Sequence, residues 1–280
     1  MHRLGVLGWP VAHSRSPAMH NAALAALGMH DWHYQRLPLP PALFEQTVRA
    51  LGGSGFVGAN VTIPHKQAAL AVADQASAGA SAIGAANTLS YLPDGTISAE
   101  NTDAPGLIEA LEQDVRGLRA LVLGAGGSAR AVVWALREAG ASEISIWNRT
   151  PERAQELASD LGARAVPKAL AADLLVNCTS VGLNGGSQGT SLERSATEEQ
   201  ALNQLGLTFD QVGEYSNVAD LVYRSTPTPL LAAAREHGSR TVDGLKILVA
   251  QGALSFELWT GRQAPREAMA RAAADPHEVD

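Results

Sequence analysis

The chain has 280 residues, 46% hydrophobic and 18% charged, a composition that can bury a core and that excludes disorder over most of its length. Its 28 acidic and 21 basic residues leave a net charge of −7, which argues against a chain-wide attraction to nucleic acid or an anionic membrane. No apolar run reaches the ~18 residues of a membrane span, and a single cysteine, Cys178, excludes an intramolecular disulfide or a cysteine-built zinc site.

In chain order, Leu4–Leu7 is a short apolar run closed by Gly8-Trp9-Pro10 and reads as a buried strand. That turn comes too early for the apolar stretch of a signal peptide, so the expected address is a reducing cytoplasm. Ser16-Pro17 opens an Ala/Leu-rich helix ending at Gly28, with Ser as a good N-cap and Pro suited to the first helical position. Trp32–Leu37 reads as a strand, Pro40–Leu51 as a helix and Gly55–Val61 as a third strand. This βαβ rhythm predicts an α/β protein with a mostly parallel sheet and helices on both faces. A helix follows Asn101-Thr102-Asp103 to about Asp114. Then come a strand at Arg119–Leu123, a helix through Ala139, a strand at Glu143–Trp147 and a helix at Pro151–Leu161. Asp173–Val176 and Ala219–Val222 give two more strands, and Asp243–Trp259 reads as one long helix closed by Gly261. Between them, the stretch Asn184–Asn217 reads as a surface excursion. It starts in a Gly/Ser-rich loop and continues into a short helix capped by Ser195-Ala196-Thr197-Glu198.

The most informative turn is Gly124-Ala125-Gly126-Gly127-Ser128-Ala129, placed between a predicted strand and a predicted helix as a Rossmann turn requires. Gly124 allows the tight turn, Gly126 lets the backbone approach a pyrophosphate, and Ala129 is small enough for helix–strand packing. The helix N-terminus offers free N–H groups and partial positive charge to phosphates. About 20 residues on, an NAD site carries Asp or Glu for the ribose 2′-hydroxyl. Here the strand ends in Asn148-Arg149-Thr150, with Arg153 in the next helix. Two guanidiniums and no carboxylate favour a 2′-phosphate, hence NADP over NAD.

Five polar clusters lie outside this unit: His13-Ser14-Arg15-Ser16-Pro17, Asn60–Lys66, Ala86-Asn87-Thr88, Asn101-Thr102-Asp103, and Gln251 in the late helix. Together they suit a small polyhydroxylated acid. Each also has a plain structural reading, with Ser16 or Asp103 as helix cap and Asn87 as a turn residue. No metal-ligand spacing occurs among the histidines, and His13 and His65 read as loop-packing residues.

Taken in order, these segments resemble the shikimate dehydrogenase family. The resemblance is carried by Gly8-x-Pro10-x-x-His13-Ser14-x-Ser16-Pro17-x-x-His20-Asn21, Asn60–Lys66, Gly84-Ala85-x-Asn87-Thr88 and Asn101-Thr102-Asp103-x-x-Gly106. It continues through the Gly124–Ala129 turn, Asn148-Arg149-Thr150, Asn177-x-Thr179-Ser180-x-Gly182, Asp220-x-Val222-Tyr223 and Asp243-Gly244-Leu245…Gln251. It implies two α/β domains with the active site in a cleft between them. The substrate domain would comprise residues 1–102 plus 241–280 and the Rossmann NADP-binding domain residues 103–240. The implied reaction is the reversible NADPH-dependent reduction of 3-dehydroshikimate to shikimate in aromatic amino-acid biosynthesis. The implied catalytic pair is Lys66 and Asp103. Ser14, Ser16 and Tyr223 would hold the substrate carboxylate, and Thr62, Asn87 and Gln251 the ring hydroxyls. NADP would meet the Gly124–Ala129 turn, Asn148, Arg149, Thr150, Arg153, Thr179, Leu221 and Gly244. A small-molecule substrate and a monomer or homodimer are expected, with no metal, nucleic acid or membrane. The sequence departs from the family's pattern at Ile247, where Met is usual, at Lys246, often Gly, and in the length of Asn184–Asn217.

The residues suit that chemistry. Hydride transfer to a ketone puts negative charge on its oxygen, so a proton donor must stand ready. An ammonium releases its proton far more readily than a guanidinium does. Two other readings use the same residues: an NAD-preferring quinate/shikimate dehydrogenase, against which Arg149 and Arg153 argue, and a catalytically silent NADP-binding regulator, against which the retained Lys66 and Asp103 argue.

Overall fold

Each of the apolar runs becomes a strand, and the strands assemble into two separate six-stranded sheets. The computed structural model describes residues 1–183, 191–224 and 226–275, the side chains of 191–196 excepted. The chain starts as β1 (His2–Gly8), α1 (Ser16–Ala26), β2 (Trp32–Pro38), a 3-10 turn (Pro41–Leu43), α2 (Phe44–Leu51), β3 (Phe56–Val61) and α3 (Lys66–Val72). It continues as β4 (Gln75–Ala76), α4 (Ala78–Ile83), β5 (Thr88–Tyr91), β6 (Ile97–Glu100) and α5 (Asp103–Leu111). The second sheet and its helices follow: β7 (Arg119–Leu123), α6 (Gly127–Glu138), β8 (Glu143–Trp147), α7 (Pro151–Leu161), β9 (Arg164–Ala165), β10 (Leu174–Asn177), α8 (Ser191–Gln204), α9 (Phe209–Val212), β11 (Asn217–Asp220), α10 (Pro229–Glu236) and β12 (Arg240–Val242). Two helices end the chain, α11 (Gly244–Thr260) and α12 (Arg266–Ala274). Among the described residues, no helix is long and apolar enough to cross a membrane.

These elements form two compact units, one of residues Met1–Leu107 with Leu248–Asp280 and one of Ile108–Ile247. The chain passes between them within α5 and α11.

The sheet of the first unit runs β2-β1-β3-β5-β6-β4. β1 is parallel to β2 and β3, and β4 to β6, while β5 alone is antiparallel to its neighbours. Leu7, Phe56, Ala59, Val61 and Leu89 pack on Phe44 and Val48 of α2, which gives this sheet a buried face. In the second unit the order is β12-β11-β10-β7-β8-β9 and every pairing is parallel. Strand order reverses between β7 and β10, and ligands bind beyond the C-terminal ends of strands at such a switch point.

Three local expectations are corrected. Ser16 is the first residue of α1 rather than its cap: Arg15 holds the N-cap position without a side-chain bond, and Ser14 Oγ accepts the Ser16 N–H (3.3 Å). The segment after Ser191 is already helical, so Ser195 lies inside α8. The capping box falls instead at Thr208–Gln211, which opens α9. Nor is that segment only a surface excursion. Leu202, Leu205 and Leu207 join Leu121, Leu175 and Val218 in the core, and each buried leucine contributes about 1.5–3 kcal/mol. The expected Gly/Ser-rich loop at Asn184–Thr190 lies outside the described residues.

Asp220 closes β11 in the interior. Its Oδ1 accepts from Asn177 Nδ2 (2.9 Å) and from the Val222 N–H (3.0 Å), and its Oδ2 accepts from Thr228 Oγ1 (2.6 Å). Burial nonetheless raises its pKa from 3.8 to about 6. The folded chain therefore holds this proton more tightly than the unfolded chain does. Its contribution is fully present below the unfolded value of 3.8 and is lost as the pH rises through about 6. Asp220→Asn is accordingly expected to gain stability relative to the parent protein on going from about pH 4 to pH 7, at up to about 1.4 kcal/mol per pH unit. Urea unfolding at both pH values measures it, and an unchanged difference between the two proteins refutes it.

Candidate active site

The polar residues of the first unit meet because of strand register. Asn60 on β3 stands opposite Thr88 on β5, and Thr88 opposite Glu100 on β6. The antiparallel β5 therefore begins where its two neighbours end, and the segments leaving β3, entering β5 and leaving β6 share one edge. Lys66 opens α3 there, Asn87 precedes β5, and Asp103 opens α5.

Lys66 Nζ donates to Asp103 Oδ2 at 2.6 Å, with side chains 10% and 14% exposed. A cation at a helix N-terminus opposes the helix dipole, while a carboxylate at the start of α5 is favoured by it. The nearly desolvated pair depends on further hydrogen bonds to offset its burial. Asn87 Nδ2 supplies one to Asp103 Oδ1 (2.8 Å). Asn87 Oδ1 in turn accepts the Thr102 N–H (2.7 Å), a group that only donates, so the amide has one workable orientation. Asp103 is not the cap of its helix: Asn101 Oδ1 accepts the Ala104 N–H (3.2 Å). Gln251 approaches from α11, its Oε1 accepting from Asn87 Nδ2 (3.2 Å) and its Nε2 donating to Leu248 O (2.8 Å).

Below these groups lies a buried hydrogen-bonded layer that pattern reading did not assign. Asn60 Oδ1 accepts from Tyr34 OH (2.8 Å), and Asn60 Nδ2 donates to Ser255 Oγ (2.9 Å) and to Thr88 Oγ1 (3.2 Å). Ser255 Oγ also meets Thr88 Oγ1 (2.8 Å) and Thr102 Oγ1 (3.1 Å). Asn60, Thr88 and Thr102 stood within quoted polar clusters, yet Tyr34 and Ser255 had no local signal. The aromatic side of this layer is His20, stacked on Tyr34 with ring centroids 4.3 Å apart, its pKa lowered to about 3 by burial and its ring neutral.

The remaining expected substrate residues occupy separate places. Ser14 and Ser16 are buried where β1 leads into α1, and Arg36 Nη2 holds this loop by donating to Ser14 O (3.0 Å). Thr62 follows β3, its N–H bonded to Leu7 O (2.8 Å). Tyr223, half-buried, belongs to the second unit. His65 packs as expected: it stacks on Phe44 and bonds Leu39 O through Nε2 (2.7 Å), and burial lowers its pKa.

In the second unit the Gly-rich turn joins β7 to α6. Gly124 has φ +107° and faces Thr179 Cγ2 at 3.2 Å from a would-be Cβ, so a side chain there is strained and crowded. A Cβ on Gly126 would meet nothing within 4 Å, which leaves open space at the N-cap of α6. Gly126 holds the N-cap position of α6 with no side-chain cap bond, and a helix N-terminus is a favourable place for a phosphate. Ala125, Gly127 and Ser128 continue the turn half-buried, and Ala129 is fully buried. These features fit a dinucleotide. Asn148 Nδ2 donates to Thr150 O (2.9 Å), and Arg149, Thr150 and Arg153 are exposed beyond β8. Thr179 is fixed through Oγ1 to Asn177 Oδ1 (2.8 Å). Gly244 has a packing reason of its own, since a Cβ there would lie 2.6 Å from the carbonyl oxygens of Leu221 and Val222. Lys246 pairs with Glu112 at 2.7 Å, and Ile247 is buried. No group of three or more His, Cys, Asp or Glu that could hold a metal occurs among the described residues.

Gly106 lets α5 lie against α11 within the first unit: a Cβ would fall 2.8 Å from both Cβ and N of Gln251. Gly106→Ala is therefore expected to cost about 1–3 kcal/mol of stability by overpacking. It should also displace Gln251, whose backbone and Cβ form the contact. Chemical denaturation measures the loss, and an unchanged unfolding midpoint would refute the packing argument.

Comparison with known proteins extends this geometry to the whole chain. Residues 6–89 match the shikimate dehydrogenase substrate binding domain, residues 107–184 the shikimate/quinate 5-dehydrogenase family, and residues 244–274 the shikimate 5′-dehydrogenase C-terminal domain. A shikimate dehydrogenase (NADP(+)) of Methanopyrus kandleri is 42% identical over 96% of this chain and 93% of its own. One of Thermus thermophilus is 46% identical over 93% of each. The crystal structure of a Thermus thermophilus shikimate 5-dehydrogenase in complex with NADP(H) and shikimate superposes with a TM-score of 0.84 at 42% identity, covering 98% of both chains. A buried Lys–Asp pair in one α/β unit, a Rossmann turn in the other and this likeness over nearly the full length lead to one conclusion: the chain belongs to the shikimate dehydrogenase family.

Proposed function

We propose that the protein is an NADP-dependent shikimate dehydrogenase that reversibly reduces 3-dehydroshikimate to shikimate in the pathway to the aromatic amino acids. The observation that carries this reading is the Lys66–Asp103 pair, 2.6 Å apart and nearly excluded from water, with Asn87 and Gln251 beside it. The unit of residues Met1–Leu107 with Leu248–Asp280 is read as the substrate domain and Ile108–Ile247 as the NADP domain. A cytoplasmic setting belongs to the same reading, since the single Cys178 leaves no disulfide to keep oxidised.

Bound NADPH supplies the hydride. Lys66 Nζ donates a hydrogen bond to the ketone oxygen and delivers its proton as charge develops there. In the reverse direction the neutral amine takes the hydroxyl proton. Asp103 orients the ammonium through Oδ2 and keeps it desolvated but paired. Asn87, with its amide orientation set by the Thr102 N–H, and Gln251 turn hydrogen-bonding groups toward ring hydroxyls, as does Thr62. Ser14, Ser16 and Tyr223 offer hydroxyls to the carboxylate, and neutral donors hold an anion without competing for the proton on Lys66. On the cofactor side, the turn Gly124–Ala129 holds the pyrophosphate against the start of α6. Asn148, Arg149, Thr150 and Arg153 supply the 2′-phosphate end. Thr179 and Leu221, just after β10 and β11, and Gly244, which opens α11, are assigned to the rest of the dinucleotide.

Two outcomes test this. General acid–base catalysis contributes about 10²–10⁴-fold, so Lys66→Ala should lower kcat by that factor with NADP affinity intact. Lys66→Arg should not restore it, because a guanidinium holds its proton too tightly. If the pair acts as a unit, adding Asp103→Ala should lose far less than the product of the single losses. Near-normal kcat in Lys66→Ala removes this lysine as the catalyst. For the cofactor, NADP should be preferred to NAD by roughly ten- to a hundredfold, the worth of a charge-assisted contact, and equal use of the two refutes it.

A further inference from the structure

The sequence pairs Arg149 with Arg153 as the cations for a 2′-phosphate. In the structure, a cavity of about 440 Å³ opens beside the end of β8, and Asn148 and Arg149 line it whereas Arg153 does not. Small-ligand sites run to about 300–1,000 Å³. The cavity is bounded by the residues after β10, and its second cation is Arg224, which follows Tyr223. Arg224 makes two long hydrogen bonds, Nη1 to Gly182 O and Nη2 to Thr226 Oγ1, both 3.4 Å, and its charge also acts on Asp220, so its guanidinium keeps donors for a stronger acceptor.

The remaining wall is α8. Thr197, Gln200, Ala201 and Gln204 line the cavity, at spacings of three, one and three, which is one face of a helix. Leu202 and Leu205 of the same segment are buried in the core. The helix is thereby anchored, and a neutral, amide-bearing face is presented to the cavity. Glu198 and Glu199 stand between the lining positions and do not line it. Among the described residues no carboxylate lines it, in a chain of net charge −7.

We propose that this cavity receives the adenosine 2′-phosphate end of NADP and that α8 forms a wall of it, with Gln200 and Gln204 reading the adenine edge and Arg224 joining Arg149 at the phosphate. A primary amide offers a donor and an acceptor side by side and so matches the N6/N7 edge of adenine. Two guanidiniums match a dianionic phosphate monoester. The proposal rests on the NADP-dependent reading and adds to it a base-reading wall and a second cation.

Calorimetric titration of the purified full chain with NADP, NAD, 2′,5′-ADP and 5′-AMP tests it. Arg224→Gln should weaken NADP and 2′,5′-ADP about tenfold or more and leave NAD and 5′-AMP unchanged. The double variant Gln200→Ala/Gln204→Ala should weaken all four ligands by a similar factor, since all four carry adenine. Unchanged melting temperature and shikimate KM show that both variants are folded. If both bind all four ligands as the parent does while Arg149→Ala loses NADP, the α8 wall and Arg224 are overturned and the NADP reading stands. If the parent itself binds NADP no better than NAD, that reading fails with them.

Discussion

A backbone N–H has no acceptor function, so the 2.7 Å bond from Thr102 to Asn87 Oδ1 leaves the Asn87 amide a single orientation. Its Nδ2 must then face Asp103 Oδ1, and Asp103 Oδ2 is left to Lys66. The bond exists because β5 runs antiparallel between β3 and β6 and starts where they end. Beneath it the hydroxyls of Thr88, Thr102 and Ser255 and the amide of Asn60 hydrogen-bond one another. A layer like this is stabilising only when complete, because a buried donor or acceptor left unpaired costs about 1–3 kcal/mol. The ion pair therefore rests on a lattice of neutral groups whose geometry has little freedom.

The second unit solves its problem with backbone rather than side chains. A phosphate is met by N–H groups at a helix start, and α6 begins at the Gly-rich turn with no side-chain cap bond. Reversal of strand order between β7 and β10 opens the ground in front of that helix. Asn177 and Asp220, buried at the ends of β10 and β11, tie the adjoining strands together through a 2.9 Å bond. The loop carrying Thr179 is in turn fixed to Asn177. Helix α8 completes this unit from one side, since leucines of its segment belong to the core.

How much of this was legible varies by element, for physical reasons. Strands β7 and β8 and helix α7 match the expected ranges residue for residue, because each carries its own signal: an apolar run bounded by glycine or polar residues, and Pro151 at a first helical position. β4, β9 and β12, of two or three residues, and the hairpin β5–β6 were not foreseen. Strands that short exist only through their neighbours. Ser16 and the Ser195 capping pattern were misplaced because a cap rule reads the side chain alone. Whether the preceding residue is already helical depends on what the segment packs against. Lys66, Asn87, Asp103 and Gln251 could be singled out by residue type, but that their side chains meet is a property of the folded unit.

Composition, periodicity and turn chemistry by themselves determined the α/β class, the strand–glycine–helix unit and the kinds of chemistry the polar clusters suit, because those depend on interactions within a few residues. Tertiary structure alone decided that β5 runs against its neighbours, that Ser255 meets Asn60 across 195 residues of chain, and that α8 lays a leucine face in the core and an amide face along a cavity. Those contacts join segments distant in sequence, and a local pattern carries no information about which partner a side chain will find once the sheets have formed.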